Sequence, residues 1–146
     1  MTYRKICGIL AEAGIAGAEY EAALLIEHFC DITPATLPLL KDKEFSCPEL
    51  DAAVMLRAER YPLQYILGEW GFCREKYQLT PDCLIPRADT ELLVETAARL
   101  IPQGGRFIDA GTGCGCIAIS LLAARPDITG CAFDISAGVL ETARSN

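Results

Sequence analysis

The chain has 146 residues, 51% hydrophobic and 23% charged, with 13 basic and 20 acidic side chains and a net charge of −7. A mean hydropathy of +0.24 excludes a disordered chain. The longest nearly apolar run, Cys116 to Ala124 with Ser120 inside it, is far short of the roughly 20 residues a membrane-spanning helix needs. Up to residue 75 the charge is −5 and beyond it −2, so no basic stripe offers itself to a phosphate backbone.

Arg4 and Lys5 are followed too soon by Glu12 for a secretory signal. The first 61 residues carry helical spacing. Ile6, Ile9, Leu10 and Ala13 fall at i, i+3, i+4 and i+7, with Thr2 as N-cap and Gly14 as the stop. Ala22, Leu25, Ile26 and Phe29 repeat the pattern, and His28 beside that face reads as structural. A short third helix is expected after Pro34. Ser46-Cys47-Pro48-Glu49 reads as a capping box with proline in the first turn, opening a helix whose buried face is Leu50, Ala53, Val54, Ala58 and Tyr61, ended by Pro62.

The pattern then changes. Trp70, Phe72, Tyr77 and Leu79 flank turn chemistry at Arg74 to Lys76, which predicts a β-hairpin over about 69–80 with the two aromatics Trp70 and Phe72 as its core. A helix is expected over 89–101, burying Leu93, Ala97, Leu100 and Ile101. From Arg106 the order is strand (106–109, buried), glycine turn, helix (117–125, ended by Pro126), strand (128–133), and a last helix capped by Ser136. That is the opening of a doubly wound α/β sheet. Two parallel strands leave faces and edges uncovered, so the chain reads as truncated, with Phe107, Ile108, Ile128 and Phe133 lacking their covering layers. The organisation is therefore α plus α/β: a helical bundle at 1–68, a hairpin linker at 69–83, and the first part of a Rossmann-like domain at 84–146.

The eight cysteines are scattered, only Cys114 and Cys116 are close, and the single histidine leaves no zinc pattern, so no metal is expected. Reduced thiols in a cytoplasmic protein are the expectation, with Cys114 the thiol exposed near a ligand.

Asp109-Ala110-Gly111-Thr112-Gly113-Cys114-Gly115 lies between a strand and a helix, where glycines let a ligand approach the main chain. Asp134 ends the next strand, 19 residues after Gly115, where a carboxylate can accept ribose hydroxyls. A nucleotide-type site follows, or else an ordinary glycine turn opening a helix. A P-loop would need lysine followed by Ser or Thr, which is absent, and a dinucleotide fingerprint would place Gly or Ala where Cys116 stands. Asp109 is awkward beside a pyrophosphate and natural beside the sulfonium and ammonium of S-adenosylmethionine.

Pro62-Leu63-Gln64-Tyr65-Ile66-Leu67-Gly68-Glu69, followed by Leu84-Ile85-Pro86-Arg87-Ala88-Asp89-Thr90-Glu91, resembles the release-factor glutamine methyltransferases of the PrmC/HemK type over essentially the whole chain. The resemblance implies an S-adenosylmethionine-dependent enzyme that methylates the glutamine amide of the GGQ motif in peptide chain release factors. It implies that the N-terminal bundle docks the release factor, that Arg87 and Thr90 help shape the cofactor site, and that Leu84 borders the substrate pocket. Asp89 or Thr90 would also serve as N-cap of the helix that follows. Position 88, often proline in the family, is alanine. The family's Asn-Pro-Pro-Tyr, which holds the substrate amide, does not occur in residues 1–146, so no catalytic residue is assigned and this piece is expected to be inactive alone. A DNA or RNA amino-methyltransferase and a non-catalytic binding fragment are the alternatives; the acidic charge weighs against the first.

Overall fold

A computed structural model describes all 146 residues, which divide into two compact units, Met1–Leu67 and Gly68–Asn146.

The first unit is helical: α1 (Tyr3–Glu12), α2 (Ala18–Cys30), a single 3-10 turn at Leu37–Leu39, α3 (Pro48–Ala58) and α4 (Leu63–Leu67). Its core is the apolar stripe that the spacing marks out. Ile6, Leu10, Ala22, Leu25, Ile26, Leu50 and Val54 are fully buried, and burial of each large aliphatic contributes about 1.5–3 kcal/mol. Thr2 caps α1 by accepting from the Lys5 amide at 3.3 Å. Gly14 follows α1 with φ +71°, and a Cβ there would also stand 2.8 Å from Arg60 Nη2. That guanidinium donates to the carbonyls of Ala13 and Gly14 and so closes the end of α1. Arg57 forks onto Glu21 at 2.5 and 3.1 Å, joining α3 to α2 with both side chains largely buried.

Several expectations for this unit are corrected. Ser46 does not cap α3; Cys47 is its N-cap, without a side-chain bond, because Pro48 itself supplies the preset φ of the first helical residue. The helix ends at Ala58, before Pro62, since Arg60 takes a left-handed φ of +67°. Tyr61 therefore lies outside α3 and is exposed, and residues 63–67 form a further short helix that the sequence reading missed. His28 is exposed in the last turn of α2, edge-on to Phe29.

In the second unit, β1 (Glu69–Phe72) and β2 (Glu75–Gln78) pair antiparallel, with Phe72 opposite Glu75 across the two-residue turn Cys73-Arg74. Cys73 takes φ +55°, and its amide donates to Glu91 Oε1 at 2.8 Å. Phe72 and Tyr77 are buried, while Trp70 is only half-buried. The Tyr77 hydroxyl shares a buried 2.7 Å hydrogen bond with Ser120, in the helix Cys116–Ala124. The hairpin is thus tied by Tyr77 to the rest of the second unit.

Helix α5 (Asp89–Leu100) precedes β3 (Arg106–Ala110), α6 (Cys116–Ala124), β4 (Thr129–Phe133) and α7 (Ala137–Ser145). Strands β3 and β4 are parallel, from Arg106 opposite Thr129 to Ala110 opposite Phe133. Phe107 lies over its cross-strand partner Gly130, where any side chain would run into the ring. Ser136 caps α7 by accepting from the Val139 amide at 3.4 Å.

The burial of these elements differs from expectation. Helix α5 buries Val94, and Leu93 and Leu100 are exposed, because only the Val94 side of the helix meets α6. Its N-cap is Ala88, not Asp89 or Thr90. Strand β3 is not buried: Ile108 is 72% exposed, and β4 is exposed along its length, with Phe133 at 52%. Of the residues expected to be uncovered, Ile128 is buried just before β4 and Phe107 is half-buried. Arg125, after α6, donates to the carbonyls of Ala98, Ile101 and Pro102 and forks onto Asp127, which accepts the Gly104 amide. One cation therefore closes the C-terminal end of α5 and fixes the entry to β3.

Candidate cofactor site

The candidate site sits at the carboxyl ends of β3 and β4, the end of a parallel α/β sheet where ligands bind. Asp109 is the penultimate residue of β3, and Asp134 directly follows β4. Between them runs the loop Gly111–Gly115, whose three glycines have φ of +76°, +60° and +86°. A side chain at any of the three would be strained. Nothing lies within 4 Å of a Cβ built at Gly111 or Gly113, so there the loop borders open space. At Gly115, the N-cap of α6, a Cβ would stand 3.0 Å from Ile119 and 3.3 Å from Ala143 of α7.

Hydrogen bonds fix the loop. The amides of Gly111 and Thr112 both donate to the Phe133 carbonyl, at 2.9 and 3.1 Å, and Gly115 donates to Thr112 at 3.0 Å. Buried Thr112 donates its hydroxyl to Asp109 Oδ2 at 2.7 Å. Asp134 accepts the Ser136 amide on Oδ1 and the Gly113 amide on Oδ2, both at 3.1 Å. These two amides, Ser136 first, hold the Asp134 carboxyl below its ordinary range and keep it ionised. A carboxylate has about four acceptor positions, so two remain on Asp134 for a ligand.

Asp109, Gly111, Thr112, Gly113, Gly115 and Asp134 are thus brought together. Arg87 is not joined to them by hydrogen bond or ion pair; it lies exposed before α5, 3.7 Å from Asp89. Leu84 is also exposed. Cys114 corrects an expectation: its side chain is 1% exposed and turns inward, although its backbone belongs to the loop. The Cys116 thiol donates to it and lowers its pKa to about 7, against the opposing effect of burial, while Cys116 itself is raised. All eight cysteines are free thiols, with Cys73 and Cys131 the exposed ones. Three participants went unread in the sequence: the Ser136 amide on Asp134, the fully exposed Ile135 beside it, and Asn146, whose side chain reaches the Cys114 carbonyl. Only the first had a signal, since the Ser136 cap implies a tight turn after Asp134.

The PrmC N-terminal domain family matches residues 3–68. The match falls on the helical first unit. Over 94% of its length the chain is 38% identical to the release factor glutamine methyltransferase of Nitratidesulfovibrio vulgaris, covering 48% of that protein. It is 38% identical over 99% of its length to the one of Geobacter sulfurreducens, covering 54% of it. A solved protein-(glutamine-N5) methyltransferase, release factor-specific, from Alicyclobacillus acidocaldarius is 46% identical over 47% of this chain and 44% of that one, with a TM-score of 0.32. The chain spans about half the length of the curated relatives it matches.

Proposed function

We propose that this chain provides the docking and cofactor-binding parts of an S-adenosylmethionine-dependent methyltransferase acting on the GGQ glutamine amide of peptide chain release factors. The second unit is read as the opening of a Rossmann-like doubly wound sheet. The observation that carries the proposal is the pairing of Asp109 and Asp134 across a glycine loop whose outer side is open. That donor set fits the proposed cofactor. Asp134 has two acceptor positions for the ribose hydroxyls, exposed Ile135 offers an apolar surface to the base, and Asp109, held by Thr112, faces the cationic end. A pyrophosphate would instead meet two carboxylates. When bound, S-adenosylmethionine supplies an electrophilic methyl group. The residues of this chain bind and orient it, which is the larger part of catalysis for an in-line displacement.

The first unit, by its kinship with PrmC N-terminal domains, docks the release factor. Residues 1–146 contain no Asn-Pro-Pro-Tyr, so by themselves they bind the cofactor without transferring its methyl group. No helix is long and apolar enough to cross a membrane, in keeping with a cytoplasmic role in translation termination. The net charge of −7 favours a protein substrate over a nucleic acid.

The test is calorimetric titration with S-adenosylmethionine, NAD and ATP, together with methyl transfer from labelled cofactor to a release factor. Binding of S-adenosylmethionine alone, with transfer by the intact protein but not by residues 1–146, supports the proposal. Preference for NAD or ATP overturns the cofactor. Turnover by residues 1–146 equal to that of the intact protein overturns the division of labour.

A further inference from the structure

Asn146 stands outside the glycine loop and outside both carboxylates, yet its side chain makes three hydrogen bonds. Its Oδ1 accepts the Gln78 amide at 2.7 Å, and its Nδ2 donates to the Gln78 carbonyl at 3.2 Å and to the Cys114 carbonyl at 2.9 Å. One acceptor and one two-proton donor face one amide and two carbonyls, so only a carboxamide in this orientation satisfies all three. Through this group strand β2 of the hairpin is bonded to the loop that carries Gly113 and Gly115. Two further features place α7 in the same joint. Thr142 lies 3.5 Å, hydroxyl to hydroxyl, from Thr80 just after β2, and Ala143 abuts Gly115 so closely that a Cβ there would come within 3.3 Å.

We propose that Asn146 is a positioning residue for the cofactor site, locking hairpin and glycine loop together by holding the Cys114 carbonyl. The peptide between Cys114 and Gly115 is then fixed at both ends, its oxygen by Asn146 and its N–H by the Thr112 carbonyl. With that peptide fixed, the Gly113 amide keeps its line to Asp134. Asn146 touches neither Gly113 nor Asp134 and acts on them through Cys114. The inference rests on the reading of this loop as the S-adenosylmethionine site.

Asn146→Ala removes all three bonds. Asn146→Asp is nearly isosteric and retains the acceptor for the Gln78 amide, but sets a carboxylate oxygen against the Cys114 carbonyl. The intact protein is assayed in two ways: amide hydrogen exchange at Gly115 and Gln78 without ligand, and calorimetric affinity for S-adenosylmethionine. The expected result is faster exchange at both amides in Asn146→Ala, with affinity reduced about five- to tenfold. Asn146→Asp is expected to bind at least as weakly as Asn146→Ala, despite a melting temperature closer to wild type. A residue that merely ended a helix would leave the affinity of Asn146→Asp at the wild-type value, and that result overturns the positioning role. Unchanged exchange at Gly115 in Asn146→Ala overturns the lock itself. If the wild-type protein binds no S-adenosylmethionine, the cofactor reading fails and the positioning role with it, whereas exchange at Gly115 still decides whether the lock exists.

Discussion

At the scale of single residues, Asp134 concentrates the chemistry of the site. Replacing it with alanine removes the proposed ribose acceptor and releases the Gly113 and Ser136 amides. Affinity for S-adenosylmethionine is expected to fall about ten- to a hundredfold, the range for hydrogen bonds to a charged group; calorimetry on the intact protein measures it. The pH dependence follows from the sign of the shift. The carboxyl is depressed in the folded protein, so its contribution is present above the ordinary carboxylate range and lost only as pH falls through the lower folded value. The affinity difference between wild type and Asp134→Ala should therefore stay flat from pH 7 to about 5. A difference that fades over that interval would mean that the Asp134 carboxyl is raised rather than depressed, and that the two amides do not hold it. Asp109 and Asp134 were legible because a carboxylate's place at a strand end follows from chain order. The inward turn of Cys114 was not, since a loop sequence does not say which side its side chain takes. A thiol reagent should accordingly label Cys73 and Cys131 before Cys114 in the native state, and mass spectrometry of the labelled peptides reads the order.

Among the elements, the start of α5 invites a stabilising change. Thr90 donates to the Arg87 carbonyl at 2.9 Å, which makes Ala88 the second residue of a tight turn, with φ −56°. That is a position and angle suited to proline. Ala88→Pro should raise stability by about 0.4–1 kcal/mol by restricting the unfolded chain, measured as a shift in urea midpoint; a loss would show that Arg87 cannot tolerate the proline ring. In the first unit, Arg57→Ala strands Glu21 at the α2–α3 junction, and a loss of about 1–3 kcal/mol is expected, between the values for exposed and for buried pairs. Helices α1 and α2 were readable because their apolar residues repeat on one face. Helix α5 was misread because Leu93, Ala97, Leu100 and Ile101 repeat at helical spacing while the buried residue is Val94, and periodicity weighs residues without knowing which neighbour arrives. The early end of α3 was hidden for a different reason: Arg60 takes a left-handed conformation with no glycine to announce it, stabilised by the carbonyls of Ala13 and Gly14 far along the chain.

For the molecule as a whole, the two units have separate cores, and the proposed function gives them separate tasks. Leu25 is fully buried among the helices of Met1–Leu67, and truncating such a side chain costs about 2–5 kcal/mol. The candidate cofactor loop draws every hydrogen-bond partner described above from Gly68–Asn146. Leu25→Ala should therefore lower the first melting transition seen by far-UV circular dichroism and weaken release-factor binding, while S-adenosylmethionine affinity stays at the wild-type value. Ile108, Phe133 and Ile135, at 72%, 52% and 105% exposure, leave the second unit open to self-association, so the measurement belongs at low protein concentration with the monomer verified by sedimentation. If cofactor affinity falls in step with helical content, the two units fold as one, and the assignment of docking to one and cofactor binding to the other is wrong. If affinity holds while release-factor binding is lost, the bundle recognises the protein substrate independently of the loop that positions the methyl donor.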